Sequence, residues 1–550
     1  MADNIDKALD LGGKPELEIL KKETEVVVDG QRVPAPEGLE IEMDEDGGAT
    51  LDFDPREALP EIEFYSNLAE VIDDRDLAEL SDELMGDFES DKSSRKEWED
   101  AYIKGLGLLG IKYEERTNPF RGASSATHPL LAESATQFQA TAFKELLPAG
   151  GPVRTVIMGD ETPEKYARAG RVQEFMNFQL MNKMEDYTPE YDQMLFYLPL
   201  AGSTFKKVYY DELMERPVSK FVPAEDLVVN YLSTDLDNCE RICHVINMSY
   251  NDFRKKQVSG FYKDVDILPQ EAEENDVQKK YNELQGTKPS YADKVVRLYE
   301  FHTSIDLKDF EDKDDSGEMT GIKIPYIVTV EEGSSQVVGI RRNYEKDDPK
   351  KMKKQYFVQY KFLPGLGFYG FGLIHLIGGL SRTATDILRQ LLDAGTLSNL
   401  PAGFKSRGIR MRDDADPLQP GEFRDIDAPN GDLRNSFMPL PYKEPSQTLY
   451  SLLGFVVQAG QRFASIADMQ VGDANQNAPV GTTIALLERG SRIMSAIHKR
   501  CYYSQKKEFR LLYKVFADYL PETYPYSVEG ADRTIKAEDF DSNLDVLPVS

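Results

Sequence analysis

The stretch PGLGFYGFGLIHLIGGLSRTATDILRQLLDAG, residues 364–395, marks the change from a strand-like to a helical sequence pattern. After the glycine-rich FYGFG, apolar residues recur at helical spacing, which predicts a helix over 373–397 that is closed by Pro401. The uncharged part, residues 362–380, contains a Pro, a His and six Gly. Because about 20 well-packed helical residues are needed to cross a bilayer, we expect a buried turn leading into a helix, and no membrane span.

Strand-like runs precede this helix. Over 295–362 the runs VVRLYEFHTSI, IPYIVTV, QVVGIRR and QYFVQYKF are separated by acidic and Gly-containing turns, and further strands are predicted within 198–231. Residues 263–292 are polar and predict a loop or weak helix. Helical patterns cover about 62–110, 126–148, 163–184, 250–262, 446–468 and 482–520. The predicted fold class is α+β, mostly helical, with a β-rich insert bracketed by helices.

Negative charge is concentrated at one end of the chain. The 550 residues carry a net charge of -31, and residues 1–100 contribute 32 acidic and 10 basic side chains, a net of -22. Residues 1–60 show no sustained period, which predicts a tail that is extended or disordered. The remaining body is only mildly acidic, which suits a surface past which DNA slides better than one that grips phosphates.

The usual templates for catalysis are absent from the sequence. It has no GxxxxGK[ST] phosphate loop, no GxGxxG after a strand, no HExxH, no GxSxG and no zinc-ribbon spacing. The CERICH stretch, residues 239–244, misses the spacing of zinc pairs, and the five histidines are scattered without a paired nucleophile. The three cysteines are expected to be reduced thiols. We predict no catalytic residue, no metal site, no cofactor and no enzymatic activity.

Two basic clusters stand out in this acidic chain. From Gly481 to Leu520 there are eight Lys or Arg against three acids, beside an apolar stripe at helical spacing. Two interpretations stay open: a solvated face that pairs with acidic neighbours, or a lining that meets DNA or an adjacent subunit. The candidate basic residues of the two clusters are Lys405, Arg407, Arg410, Arg412, Arg489, Arg492, Lys499 and Arg500.

A polar loop, residues 469–481, lies between the last two predicted helices and contains one acid. It is either an ordinary flexible connection or a mobile sliding contact that offers phosphates weak hydrogen bonds without a strong electrostatic well. The candidate contact residues are Met469, Gln470, Gly472, Asn475, Gln476 and Asn477.

The order of several segments resembles that of podovirus-like portal proteins, the head-tail connectors of tailed bacteriophages. GASSATHPLLAESATQFQATAFKELLP, from residue 122, is similar to their opening helices, and VPAEDLVVNYLSTDLDNCERICHVINMSYNDFRKK, from residue 222, to a strand, turn and helix-start segment. VVRLYEFHTSI and the 364–395 stretch resemble the clip insert and stem helix. DMQVGDANQNAPVGTTIALLERG, from residue 468, is similar to the tunnel loop and long helix. The resemblance covers roughly residues 100 to 520, and its specificity lies in the order of the set.

The resemblance implies a structural protein of the virion. The subunits would form a homo-oligomeric ring, a dodecamer of about twelve copies, around double-stranded DNA that is packaged into and ejected from the head. Its partners would be the major capsid protein, the terminase, which would hydrolyse the ATP, and head-tail adaptor proteins, at the portal vertex of a particle assembled in the host cytoplasm. The implied regions are an acidic tail at 1–60, a wing at 61–240 and 401–468, the approach to stem and clip at 241–294, a β-rich clip insert at 295–368, a stem helix at 369–400, a tunnel loop at 469–481, and a long helix with the crown or C-terminal segment at 482–550.

Two other classes remain as alternatives. A head-tail adaptor or collar protein would be shorter and would lack a long β insert between helices. A nucleic-acid-processing enzyme would need a rigid cluster of metal-binding carboxylates or a nucleotide site.

Overall fold

The computed structural model describes residues 63–549, with gaps, and four strands between residues 25 and 53. The gaps within 63–549 are 113–114, 268–269, 272–273, 289–293, 314–318, 400–402, 406–409, 412–425, 428–436, 464–479, 529–530 and 541–543. Helix accounts for 47% of the residues and strand for 22%, so the predicted α+β class is confirmed.

Ten α-helices are found in the described residues. Asp73 accepts a hydrogen bond from the backbone N–H of Arg75 and so caps the first of them, while Thr162 caps the fourth through the N–H of Lys165. The helices are α1 (Asp74–Ser94), α2 (Lys96–Leu106), α3 (Leu130–Leu146), α4 (Pro163–Phe178), α5 (Tyr187–Ala201), α6 (Tyr250–Val258), α7 (Asp276–Gln285), α8 (Leu373–Asn399), α9 (Gln447–Phe463) and α10 (Val480–Tyr519).

Short paired strands connect and cover these helices. In the tail they are β1 (Glu25–Val28), β2 (Gln31–Pro34), β3 (Leu39–Met43) and β4 (Ala49–Phe53), paired as two hairpins. In the body they are β5 (Val153–Ile157), β6 (Ser203–Asp211), β7 (Arg216–Val222), β8 (Leu227–Val229), β9 (Ile242–Ser249), β10 (Gln270–Glu271), β11 (Lys294–Ile305), β12 (Ile324–Glu331), β13 (Val337–Arg342), β14 (Phe357–Lys361), β15 (Gly403–Lys405), β16 (Arg410–Met411), β17 (Ile426–Asp427), β18 (Phe437–Pro439), β19 (Thr523–Val528), β20 (Ala531–Lys536) and β21 (Leu544–Pro548).

The largest sheet crosses the predicted region boundaries. Its order is β13-β12-β11-β9-β8, with β10 also paired to β11, and all its pairings are antiparallel. Strands β8 and β9 come from residues 227–249, so the boundaries placed after residues 240 and 294 cut through one sheet. Strand β14 leaves the insert and pairs with β6 in a second sheet, β14-β6-β7. The strands of residues 294–361 are therefore shared between two sheets that also contain strands from residues 203–249.

Two large apolar clusters hold these elements together. The larger one packs α3, α5, α8 and the second half of α10 against the β14-β6-β7 sheet, with Phe138, Phe205 and Phe509 fully buried. The smaller one packs α1 against the six-stranded sheet through Phe88 and Phe301. Burying one such side chain contributes roughly 1.5–3 kcal/mol, so the two clusters fix how helices and sheets are layered.

Three glycines allow two backbone segments to cross at the start of α8. Gly202, with φ of 82°, ends α5, and a Cβ there would lie 2.4 Å from the carbonyl oxygen of Gly370. A Cβ on Gly372 would lie 2.4 Å from the carbonyl oxygen of Leu200. The glycines of FYGFG are therefore required by close backbone approach.

Most predicted helices form close to their predicted bounds. The predicted 373–397 helix is α8, and the predicted 482–520 helix is α10. The predicted 163–184 helix ends earlier, at Phe178, where a π-helical turn over Gln179–Lys183 follows. Among the described residues, no helix is both long and apolar enough to cross a membrane.

Replacing Gly372 with Ala should destabilise the protein by about 1–3 kcal/mol, because the added methyl group meets backbone that cannot move aside. The thermal unfolding midpoint, followed by circular dichroism, measures the effect. Gly379→Ala is the matched control: a Cβ there has nothing within 4 Å, and this helical site should gain stability, by up to about 1 kcal/mol. Equal midpoints for the two variants would contradict the crossing.

Candidate functional site

The predicted polar loop is approached by two helices whose positions are described. Its candidate residues, Met469, Gln470, Gly472, Asn475, Gln476 and Asn477, all lie outside the described residues. Helix α9 ends at Phe463 before the loop, and α10 begins at Val480, so it includes the last two residues of the predicted loop. The structure therefore describes the helices that flank this loop, whereas the candidate loop residues lie outside the described residues.

Helix α9 is supported from two sides. Val456 packs against Ala384 and Ile387 of α8. On another side it approaches α3 so closely that a Cβ on Gly460 would lie 2.5 Å from Cδ2 of Leu130. The start of the loop is thus held by packing against α3 and α8.

The outward face of α9 is apolar and exposed. Tyr450 is 65% exposed and Phe455 68%, and Phe463 at the helix end is also exposed. The helix carries a single charge, Arg462. Leu452, which is 44% exposed, lies one helical turn from Phe455, and exposed apolar side chains grouped in this way mark interaction surfaces in folded proteins.

The second half of α10 is anchored in the core by hydrogen bonds to main-chain carbonyls. Arg500 donates to the carbonyl oxygen of Phe362 at 2.7 Å, and Ser504 donates to that of Gln359 at 2.7 Å. Both acceptors belong to the chain at the end of β14. The loop is therefore followed by a helix whose far half is fixed to the three-stranded sheet.

A buried ion pair lies at the centre of this anchor. Lys206 on β6 and Glu508 on α10 are both fully buried, with Nζ 3.9 Å from Oε1. Lys206 also donates to the carbonyl oxygen of Ser219 at 3.0 Å and lies 4.7 Å from the ring centre of Tyr187. Glu508 accepts hydrogen bonds from the Ser219 hydroxyl, at 2.6 Å, and from the Tyr360 hydroxyl. Burial lowers the pKa of Lys206, and the Glu508 carboxylate opposes that shift.

Removing one partner of this pair should cost more than removing both. Lys206→Met or Glu508→Gln alone should destabilise the protein by about 3–5 kcal/mol, because an uncompensated charge or polar group is left in the core. The double variant should recover part of that loss, a coupling that urea titration of the four proteins would measure. If the two single losses simply add, the pair is not coupled.

The candidate basic residues are only partly described. For four of them the structure describes the backbone but not the side chain: Lys405, Arg410, Arg489 and Arg492. Arg407 and Arg412 lie outside the described residues. Lys499 is exposed on α10, and Arg500 is the half-buried donor to the Phe362 carbonyl. The two clusters are thus not brought together by any described contact.

Other cations of α10 pair within the chain. Lys506 and Arg510 both contact Asp545, at 3.3 and 2.7 Å, and Lys507 contacts Asp237 at 2.9 Å. Over the described half of the helix, the observations favour pairing with acidic neighbours over a continuous bare lining.

A second buried group, missed by sequence reasoning, links α2 to the start of β8. The guanidinium of Arg95 donates to the carbonyl oxygens of Ala224 and Leu227, at 2.9 and 2.8 Å, and to that of Glu225. Burial and the neighbouring carboxylate raise the pKa of Glu225 to about 7, and burial raises the pKa of Asp226 to about 6. The VPAED motif, residues 222–226, was the sequence signal for this buried group. Its partner Arg95 lies about 130 residues earlier in the chain, so the motif alone did not identify the contact.

These two carboxyls should make stability depend on pH. Their pKa values are higher in the folded chain than in the unfolded one, so their contribution is full below about pH 4 and is lost as the pH rises to about 7. Relative to Glu225→Gln, the thermal midpoint of the native protein should therefore fall between pH 5 and pH 8, measured in steps of one unit. The exposed Glu240→Gln should follow the native curve, and a Glu225→Gln curve parallel to the native one would refute the assignment.

A third cluster joins the two larger sheets. Glu300 on β11 accepts hydrogen bonds from Lys207 on β6, at 2.6 and 2.8 Å, and contacts Nε2 of His302 at 2.6 Å. Burial alone would raise the pKa of Glu300, but Lys207 and His302 lower it well below its usual range. Burial lowers the pKa of His244 beside this group to about 3. The cluster is an internal salt bridge with neutral imidazoles nearby.

Within the described ranges, no group of three or more His, Cys, Asp or Glu side chains could hold a metal ion. Cys239, Cys243 and Cys501 are free and buried, and burial raises the pKa of each thiol. Such thiols are poor nucleophiles and serve as packing groups.

No family model matches the sequence, and no curated protein matches it.

Proposed function

We propose that this chain is the subunit of a phage portal, a structural ring through which double-stranded DNA enters and leaves the head. The observation that carries the proposal is the order of elements: a β-rich region, α8, α9, a polar loop, and then the 40-residue α10. This order follows the segments in which the sequence resembles portal proteins.

The mechanics of α10 support a role as a strut for the loop. At 1.5 Å per residue, its 40 residues extend about 60 Å. Its second half is held by the Lys206–Glu508 pair and by hydrogen bonds to carbonyls near β14. A helix anchored in this way would hold the loop in position while the loop contacts a moving ligand.

The chemistry of the described residues supports a scaffold. Buried ionisable groups such as Glu300 and Lys206, whose pKa values are lowered, lie in the core and are engaged with other side chains or with main-chain groups. Groups placed in this way stabilise packing and offer no open site to a substrate. The docking of terminase and adaptors belongs to the same proposal.

The exposed face of α9 supports assembly into a ring. A neighbouring subunit packed on α9 would cover apolar side chains, among them Tyr450 and Phe455, that the single chain leaves in water. Because this face adjoins the loop, a ring closed there would gather the loops of its subunits together.

The test is the assembly state of the purified protein, measured by mass photometry and negative-stain electron microscopy. We expect rings of about twelve subunits with a central hole. A chain that stays monomeric or dimeric at micromolar concentration, even with capsid protein added, would overturn the proposal and favour an adaptor.

Substituting the α9 face should prevent ring formation without unfolding the chain. In Tyr450→Lys with Phe455→Lys, the added positive charges cannot be buried between subunits, so monomers should replace rings. Circular dichroism should remain native. Leu366→Lys is the control, because Leu366 is 98% exposed on a different loop and its replacement should leave rings intact.

A further inference from the structure

A basic segment begins in β13, the edge strand of the six-stranded sheet. Residues 341–354, RRNYEKDDPKKMKK, contain seven Lys or Arg and three acids, a net charge of +4 in a chain of net -31. The segment starts in β13 and leads to β14. We define the basic edge as Arg341, Arg342, Lys346, Lys350 and Lys354.

Neutral groups hold two of these cations in place. Arg341 donates to the carbonyl oxygens of Tyr65, at 2.8 Å, and Phe261, at 3.0 Å. Arg342 donates to the carbonyl oxygen of Phe64 at 2.8 Å. Among the described residues, neither arginine forms an ion pair, and the hydrogen bonds to carbonyl oxygens fix both guanidinium groups.

The rest of the edge is only partly neutralised. Lys354 pairs with Glu345 at 3.0 Å, whereas Lys346 and Lys350 are exposed and no described carboxylate pairs with them. Met352, between them and β14, is 66% exposed. The edge therefore offers exposed ammonium groups beside an apolar side chain.

The acidic tail joins the fold at this edge. Phe64 and Tyr65, whose carbonyls hold the two arginines, directly follow residues 37–63. Those 27 residues contain eleven acids and one basic residue, a net charge of -10, together with Ile41, Leu51 and Phe53. A segment tethered this closely has an effective concentration on the order of millimolar at its attachment point.

We propose that residues 37–63 bind the basic edge of their own chain and thereby keep nucleic acid away from it. The tail has the charge density of a polyanion and is permanently attached beside the cations, so free DNA must displace it to bind. Carboxylates would meet the ammonium groups of Lys346 and Lys350, and apolar tail residues would cover Met352. This contact would form within a single chain and would not require ring assembly.

Neutralising the tail in the full-length chain tests this competition. In the tail-neutral variant, Glu37, Glu40, Glu42 and Glu45 become Gln, and Asp44 and Asp46 become Asn. Binding of a fluorescent DNA duplex, followed by anisotropy at about 50 mM NaCl, should tighten at least about tenfold, and the gain should vanish at about 200 mM NaCl.

Reversing charges on the basic edge shows whether the effect is local. Lys346→Glu with Lys350→Glu, added to the tail-neutral variant, should return DNA affinity to the native level. Lys96→Glu with Lys144→Glu is the matched control, because both residues are exposed on other elements, and it should keep at least half of the gain in log affinity. Equal losses of DNA affinity from the two lysine pairs would show a general charge effect and overturn the proposal. Unchanged DNA affinity in the tail-neutral variant would also overturn it.

Zero-length carbodiimide cross-linking tests the contact directly. In the native protein, Lys346 or Lys350 should link to an acid within 37–63, and high salt should abolish the product. Mixing isotopically light and heavy chains separates links within a chain from links between chains. Links that are mostly between chains, or their absence at low salt, would contradict binding in cis.

Discussion

The contact between Lys206 and Glu508 constrains how helix α10 packs on the body of this protein. Neither charge can be left alone in an interior that excludes water, so α10 must lie on the β14-β6-β7 sheet in the one register that brings them together. A shift by one residue would turn Glu508 away from Lys206 and from the hydroxyls of Ser219 and Tyr360. Through α10, that register also fixes where the polar loop before it ends. The pair therefore couples the packing of the core to the position of the loop.

Periodicity in the sequence did not predict α5, Tyr187–Ala201. It predicted most of the other helices, because a stripe of apolar residues at helical spacing has one stable solution. The helices α8 and α10 match their predicted bounds closely for this reason. Strand partners were harder, since alternation shows that a segment is a strand but not which strand lies beside it. Local pattern alone therefore did not predict that β14 pairs with β6, 150 residues earlier, or that β8 and β9 complete the sheet of β11.

The contacts of the candidate functional residues could be predicted only in part, for a related reason. Cations on α10 stood out as a cluster, but whether each meets solvent or an acid depends on distant residues such as Asp545. The group around Arg95 was missed entirely, because its acceptors are main-chain carbonyls that leave no side-chain signature. The basic edge at 341–354 was similarly hidden by the three acids interspersed with its cations.

The strand β21 pairs with β5, about 390 residues earlier in the chain, through a register that matches Leu544 with Ile157 and Pro548 with Val153. One side of the layer that contains α4 and α10 depends on this pairing. During synthesis from the amino end, β5 must wait without its partner until residue 548 has left the ribosome. Early sheets and helices can form in the meantime, but closure of this layer is a late and long-range event, of the kind that slows folding.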